Sequence, residues 1–253
     1  MTRAISAPRS AAAPANPSED REALNYLERS ELPLISLVFL LPLVVLYEVG
    51  TRYFTTAALH GRDEQIIAFS LMQRFFVFVG AGGQHLPALT VVFVLLAWHI
   101  ARKDSWEIDI RVLMGMVVES GLLTVPLILL GIALPRYFPL GALTGPRTDR
   151  IILALGAGVY EEFFFRLALF AFLSLLVRDF LKVGRKITNL FVVVTSAFLF
   201  AAYHYLSPTE HFQMQTFIFR TIAGAYFGIV FLVRGFGITA SSHCFYDLII
   251  TVL

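Results

Sequence analysis

The chain has 253 residues; 57% are hydrophobic, 15% are charged and the formal net charge is +2. Soluble domains carry about 25% charged residues, and a domain of this size cannot hide so much apolar surface from water. The absence of a basic block argues against nucleic-acid binding, and the single cysteine, Cys244, excludes an intrachain disulfide or a cysteine-rich metal site.

Residues 1–17 are rich in Ala, Ser and Pro and read as a disordered tail. Residues 18–31 suit a short surface helix with Ser18 as its N-cap. Seven apolar segments follow, at Leu32–Val49, Leu86–Ile100, Val112–Leu134, Ile151–Val177, Thr188–Leu206, Phe212–Val233 and Ile238–Leu253. They are long and lack the alternation of a barrel strand, so the expected fold is all-α, a polytopic transmembrane helical bundle of about seven or eight spans. An eighth stretch, Gln65–Gly80, carries Arg74 at its middle and reads as a helix lying in the membrane interface. With seven spans, the excess of Lys and Arg falls on the side of the N-terminus, which is therefore expected to be cytoplasmic. A bacterial plasma membrane is the expected location. Three regions are expected: 1–31 as a polar tail, 32–147 as N-terminal membrane helices, and 148–253 as a functional core.

Ionisable groups at bilayer depth cost at least ~2.5 kcal/mol each on insertion scales, so each needs a reason. Glu161, Glu162 and Arg166 form the first cluster. Glu162 and Arg166 are one helical turn apart, with the acid first, and suit an ion pair. Glu161 is rotated away by about 100°. A buried ion-pair network accounts for Glu162 and Arg166 but poorly for Glu161, which is left for chemistry. Phe200 and His204 are the second cluster, with the ring placed to fix the imidazole; alone, a histidine on an apolar helix is most often a core residue. His243 and Asp247 are the third, at a spacing that suits metal ligation, a catalytic pair or a simple helix–helix hydrogen bond. Together they suit water activation: Glu161, aided by His204, takes a proton from water, and His243 donates to the oxyanion. Straight, upright helices would not bring Glu161, His204 and His243 together; tilted helices, a late start to the last helix or different span boundaries would, and Gly235 and Gly237 permit irregular backbone just before that helix. Elsewhere, Glu119 with Arg220, or Arg220 with Glu48, is the expected structural pairing, with substrate contact as the alternative. Trp98 and Tyr47 sit where an interfacial aromatic belt is expected. Cys244 reads as a packing residue.

These clusters resemble the three signatures of the CAAX protease and bacteriocin-processing family of intramembrane endopeptidases. E-E-x-x-x-R matches Glu161, Glu162 and Arg166; F-x-x-x-H matches Phe200 and His204; H-x-x-x-N/D matches His243 and Asp247. The resemblance covers roughly residues 150–250 and implies a helical membrane protease with its site inside the bilayer. It implies that Glu161 and His204 activate water, and that His243 and Asp247 serve the oxyanion. Glu162, Arg166 and Phe200 are then supporting residues. Many members carry Asn at the last position; an ionised Asp247 cannot donate to an oxyanion, so its expected task here is to orient His243. Members were first taken for metalloendopeptidases and a metal-free glutamate mechanism is now favoured. The cofactor is thus none or a divalent metal such as zinc, held if present by Glu161, His204, His243 and Asp247. The implied partners are membrane lipids and a peptide or protein substrate.

Other intramembrane protease classes lack their motifs here: there is no H-E-x-x-H and no G-x-S-x-G, and Asp247 is the only aspartate within a predicted span. Two readings compete with hydrolysis. One is a proton-coupled transporter that uses the same Glu, His and Arg residues as a relay. The other is a catalytically inactive scaffold of the same fold.

Overall fold

The computed structural model describes residues 25–55, 66–133, 146–207 and 210–252. The expected tail and Ser18 lie outside them. The first helical turn, α1 (Tyr26–Ser30), starts from Asn25, whose side chain accepts the Glu28 N–H while the Glu28 carboxylate accepts the Asn25 N–H. This reciprocal cap sets the helix start. Then come α2 (Pro33–Tyr53), α3 (Ile67–Phe78), α4 (Leu86–Arg102) and α5 (Ile110–Ala133). Prolines stand in the first turns of α2 and α4, where a missing N–H costs nothing.

The sixth helix, α6, opens at Arg147–Gly156 and continues without a break through wider, i→i+5 turns at Ala157–Glu161 and Phe163–Ala168. It closes through Leu169–Ser174 and Leu175–Phe180. Helix α7 (Arg185–Tyr203) ends in a tight turn at His204–Leu206. The last element, α8 (Met214–Val252), is broken at Gly235, whose φ of 73° and ψ of −173° only glycine adopts readily. Phe227 stacks on His243, with ring centroids 4.8 Å apart, and Phe219 lies 6.3 Å from Tyr246. These contacts, at growing distance from Gly235, show that the two halves fold back on one another. The segments expected at Phe212–Val233 and Ile238–Leu253 are therefore the arms of one helical hairpin. Gly237 is needed for a different reason: a Cβ there would lie 2.8 Å from Ser36 Oγ and 2.9 Å from Met116 Cε.

Among the described residues no strand occurs, and four helices are long and apolar enough to cross a bilayer: α2, α5, α7 with its terminal turn, and α8. The chain is an all-α integral membrane protein. Helix α5 shows the logic of its solvent. Met116, Ser120, Thr124 and Leu127 form a buried stripe, whereas Val118, Leu122 and Leu129 are exposed. Apolar residues face outward because lipid, unlike water, does not penalise them, and the polar Ser120 and Thr124 turn inward to find partners. Helix α3 has 12 residues, about 18 Å at the helical rise, short of the ~30 Å hydrocarbon core. It buries Ala68, Phe69 and Met72 and leaves Arg74 exposed.

The main apolar core joins α2, α3, α4, α6, α7 and the second arm of α8. Tyr47 belongs to it. Expected in an interfacial belt, Tyr47 is fully buried, packs on Phe69 and Tyr160, and accepts the Ile66 N–H through its hydroxyl. Helices α6 and α8 touch backbone to backbone. A Cβ on Gly158 would lie 2.5 Å from the Cys244 nitrogen and 2.7 Å from the Ala240 oxygen. Cys244, buried in this seam, bonds the Leu155 carbonyl, in keeping with a packing role.

Candidate active site

Glu161 ends the first wide turn of α6, Glu162 lies between the two and Arg166 lies in the second, and all three are buried. Such widened turns recur at functional sites, because they re-aim side chains that a regular helix would spread around its circumference. Arg166 lies 3.0 Å from Glu162 Oε1, an ion pair whose N–H direction falls outside hydrogen-bond alignment. Its other terminal nitrogen donates to the Gly224 carbonyl at 3.0 Å. The guanidinium lies over the Phe200 ring, 4.5 Å from the centroid. Gly224 can offer its carbonyl because it is pressed against α7: a Cβ there would lie 3.0 Å from Ala197 Cα.

Glu161 is held differently. The Tyr203 hydroxyl donates to Glu161 Oε1 at 2.8 Å and accepts the Ala68 N–H at 3.2 Å. Glu161 Oε2 faces His204 Nε2 at 3.8 Å. The opposite nitrogen of His204, Nδ1, bonds the Phe200 carbonyl at 2.7 Å. A carbonyl only accepts, so Nδ1 carries the proton, and in the neutral ring Nε2 presents its lone pair to Glu161.

His243 stands between two acids. Its Nδ1 lies 2.8 Å from Glu162 Oε1 and its Nε2 lies 3.5 Å from Asp247 Oδ2. The shorter contact is the hydrogen bond; 3.5 Å is long for one. Orientation of His243, expected from Asp247, thus comes first from Glu162, and from Phe227 stacked on its face. Phe200 links the groups: its ring lies 4.9 Å from that of His204 and 5.8 Å from that of His243. Glu161, His204 and His243 converge because α7 ends just before His204 and α8 doubles back at Gly235.

Tyr203 is the residue that spacing did not single out. Its signal was present, one position before His204 and one turn from Phe200, but tyrosine in an aromatic-rich span reads as packing. The Glu162–His243 bond was also hidden, since it joins residues 81 positions apart.

Among the described residues no three His, Cys, Asp or Glu side chains are grouped as a metal site requires. His204 and His243 each bind a protein oxygen through Nδ1, and their free faces point to different acids. Among the described residues, Glu161, His204, His243 and Asp247 are not gathered as three or more ligands about one point.

The expected pairings of the remaining charges are corrected. Glu119 binds Arg234, not Arg220, through both carboxylate oxygens. Tyr26 also donates to Glu119, at 2.6 Å. Burial, then Glu119, pushes the Tyr26 hydroxyl up to about 12, so it remains a donor. Arg234 further binds Ser30 Oγ, the Leu27 carbonyl and Glu31. Arg220 pairs with Glu210, and Glu48 with His85 and Tyr160. Pairing among charges within the predicted spans failed because the hairpin tip, read from the sequence as a loop, delivers the cation to Glu119.

Residues 145–249 match the family model of type II CAAX prenyl endopeptidase, Rce1-like. The match contains all three motifs. No curated protein and no solved structure gave a match.

Proposed function

We propose that this chain, whose residues 145–249 belong to the type II CAAX prenyl endopeptidase Rce1-like family, is an intramembrane endopeptidase that hydrolyses a peptide bond with a water activated by Glu161 and His204. The observation that carries the reading is the facing pair. Glu161 Oε2 and the unprotonated Nε2 of His204 lie 3.8 Å apart. A single water seated beside them can bond to both. Among the described residues no arginine forms an ion pair with Glu161, whereas Arg166 does with Glu162. That division leaves one carboxylate to accept a proton.

The water oxygen attacks the scissile carbonyl carbon while its proton passes to Glu161 or His204. The carbonyl oxygen becomes an oxyanion, and His243 is the donor that faces it. Donation through Nε2 needs the doubly protonated ring, whose Nδ1–H binds Glu162 and whose charge is balanced by Glu162 and Asp247. Asp247 acts as counter-charge to His243. Collapse of the intermediate breaks the C–N bond, and the proton held by Glu161 or His204 goes to the leaving amine. The products are a carboxylate and an amine, and no metal step is invoked. The substrate class is a membrane-associated or lipidated peptide tail, since the buried site lies within an apolar bundle. The N-terminus is assigned to the cytoplasmic side by the distribution of Lys and Arg.

The test is mass spectrometry of lipid-anchored peptides, S-prenylated Cys-aliphatic-aliphatic-X sequences among them, incubated with the chain in proteoliposomes. Cleavage that survives chelator and disappears in Glu161→Ala and His204→Ala is expected. Cleavage at wild-type rate in both variants overturns the mechanism, and ion-gradient-driven uptake without cleavage supports the carrier reading instead.

A further inference from the structure

We infer that Arg220 forms a carboxylate-binding subsite beside the catalytic cluster, reading an anionic group of the substrate; this rests on the protease reading above. Arg220 lies on the first arm of α8, one turn before Gly224, whose carbonyl holds Arg166, and two turns before Phe227, which stacks on His243. It therefore continues the α8 face that lines the site.

The two cations are not equivalent. Arg166 is fully buried and committed to Glu162 and the Gly224 carbonyl. Arg220 is 19% exposed, and its partner Glu210 is 41% exposed in the non-helical segment before α8. Glu210 meets the guanidinium with both oxygens, at 3.1 and 3.3 Å, the two-pronged arrangement that Arg makes with any carboxylate. Glu210, 41% exposed, stands at the outer side of the pair, where another carboxylate can take its place on the guanidinium fork. The Tyr205 ring, 5.5 Å from the guanidinium, shapes one side of the subsite, and Phe212 and Phe217 pack on Tyr205. Tyr205 directly follows His204. A carboxylate that displaced Glu210 would sit next to the residue that polarises the attacking water. Without such a cation, Glu161 and Asp247 would repel an anionic substrate.

The experiment is peptide binding to the full chain in nanodiscs, carrying Glu161→Gln so that nothing is turned over. The probes are one fluorescent S-prenylated peptide with a free C-terminal carboxylate, the same peptide as its C-terminal amide, and the amide with a Glu at its last position. The carboxylate form is expected to bind at least about tenfold tighter than the amide. Adding Arg220→Gln should reduce it to the level of the amide and leave the amide unchanged, which also shows that the fold is intact. Glu210→Gln should tighten the carboxylate form. Recovery of binding with the terminal Glu side chain assigns the subsite to carboxylates in general; no recovery assigns it to the chain terminus. Equal binding of carboxylate and amide forms, or equal weakening of both by Arg220→Gln, overturns the inference. A chain bearing Glu161 that discriminates in binding but cleaves neither form overturns the protease reading and leaves the subsite standing.

Discussion

At the scale of single residues, two adjacent glutamates with nearly the same burial differ in what holds them. Glu162 is bound by Arg166 and His243; Glu161 has a tyrosine hydroxyl on one oxygen and a histidine lone pair facing the other. The Glu162–Arg166 pair was readable from the sequence, because one turn of helix joins those two residues and leaves Glu161 out. Tyr203 was not readable, since its partners Ala68 and Glu161 come from two other helices. Tyr203→Phe removes one donor from Glu161 and one acceptor from the start of α3. Cleavage is expected to fall by about 10- to 100-fold, the worth of a hydrogen bond to a charged group. The loss should appear in kcat with KM little changed, as measured by steady-state kinetics in proteoliposomes.

At the scale of elements, glycine sets the distances on which the site depends. Gly158 brings α6 against the second arm of α8, so that Glu162 reaches His243 at 2.8 Å. Gly158→Ala forces a methyl against backbone atoms of Ala240 and Cys244 that cannot rotate away. It should cost about 1–3 kcal/mol in stability, read as a lower melting temperature in detergent, and reduce cleavage further by parting the two helices. An unchanged melting temperature and activity would show that the seam is looser than the contacts indicate. The break at Gly235 was legible, because two glycines near an arginine interrupt an otherwise apolar run. The wide turns of α6 were not, because no residue type marks them and tertiary packing imposes them.

At the scale of the whole molecule, the low charge fraction makes each interior charge a statement about architecture. The apolar spans were legible because lipid demands long apolar helices whatever the packing. The partner of each buried charge was not, because it depends on which helix ends meet. Arg234, next to the hairpin tip, ties α1 and α5 to α8 through Glu119, Glu31, Ser30 and the Leu27 carbonyl. Glu119→Gln and Arg234→Gln should each destabilise the bundle by about 2–4 kcal/mol, since removing one partner leaves a largely buried charge less balanced, Arg234 keeping only the more exposed Glu31. The double variant should cost less than the sum of the two. Thermal unfolding of the three variants checks this, and strict additivity would mean that the pair is not coupled.

The central claim is that Glu161 activates water for peptide-bond hydrolysis, and the single-turnover cleavage rate of Glu161→Gln tests it most directly. Glutamine preserves the size of the side chain but cannot accept the proton. The rate is expected to fall by roughly 10²–10⁴-fold, the usual worth of a general base, with peptide binding and melting temperature preserved. A Glu161→Gln protein that cleaves the same peptide at the wild-type rate would contradict the account.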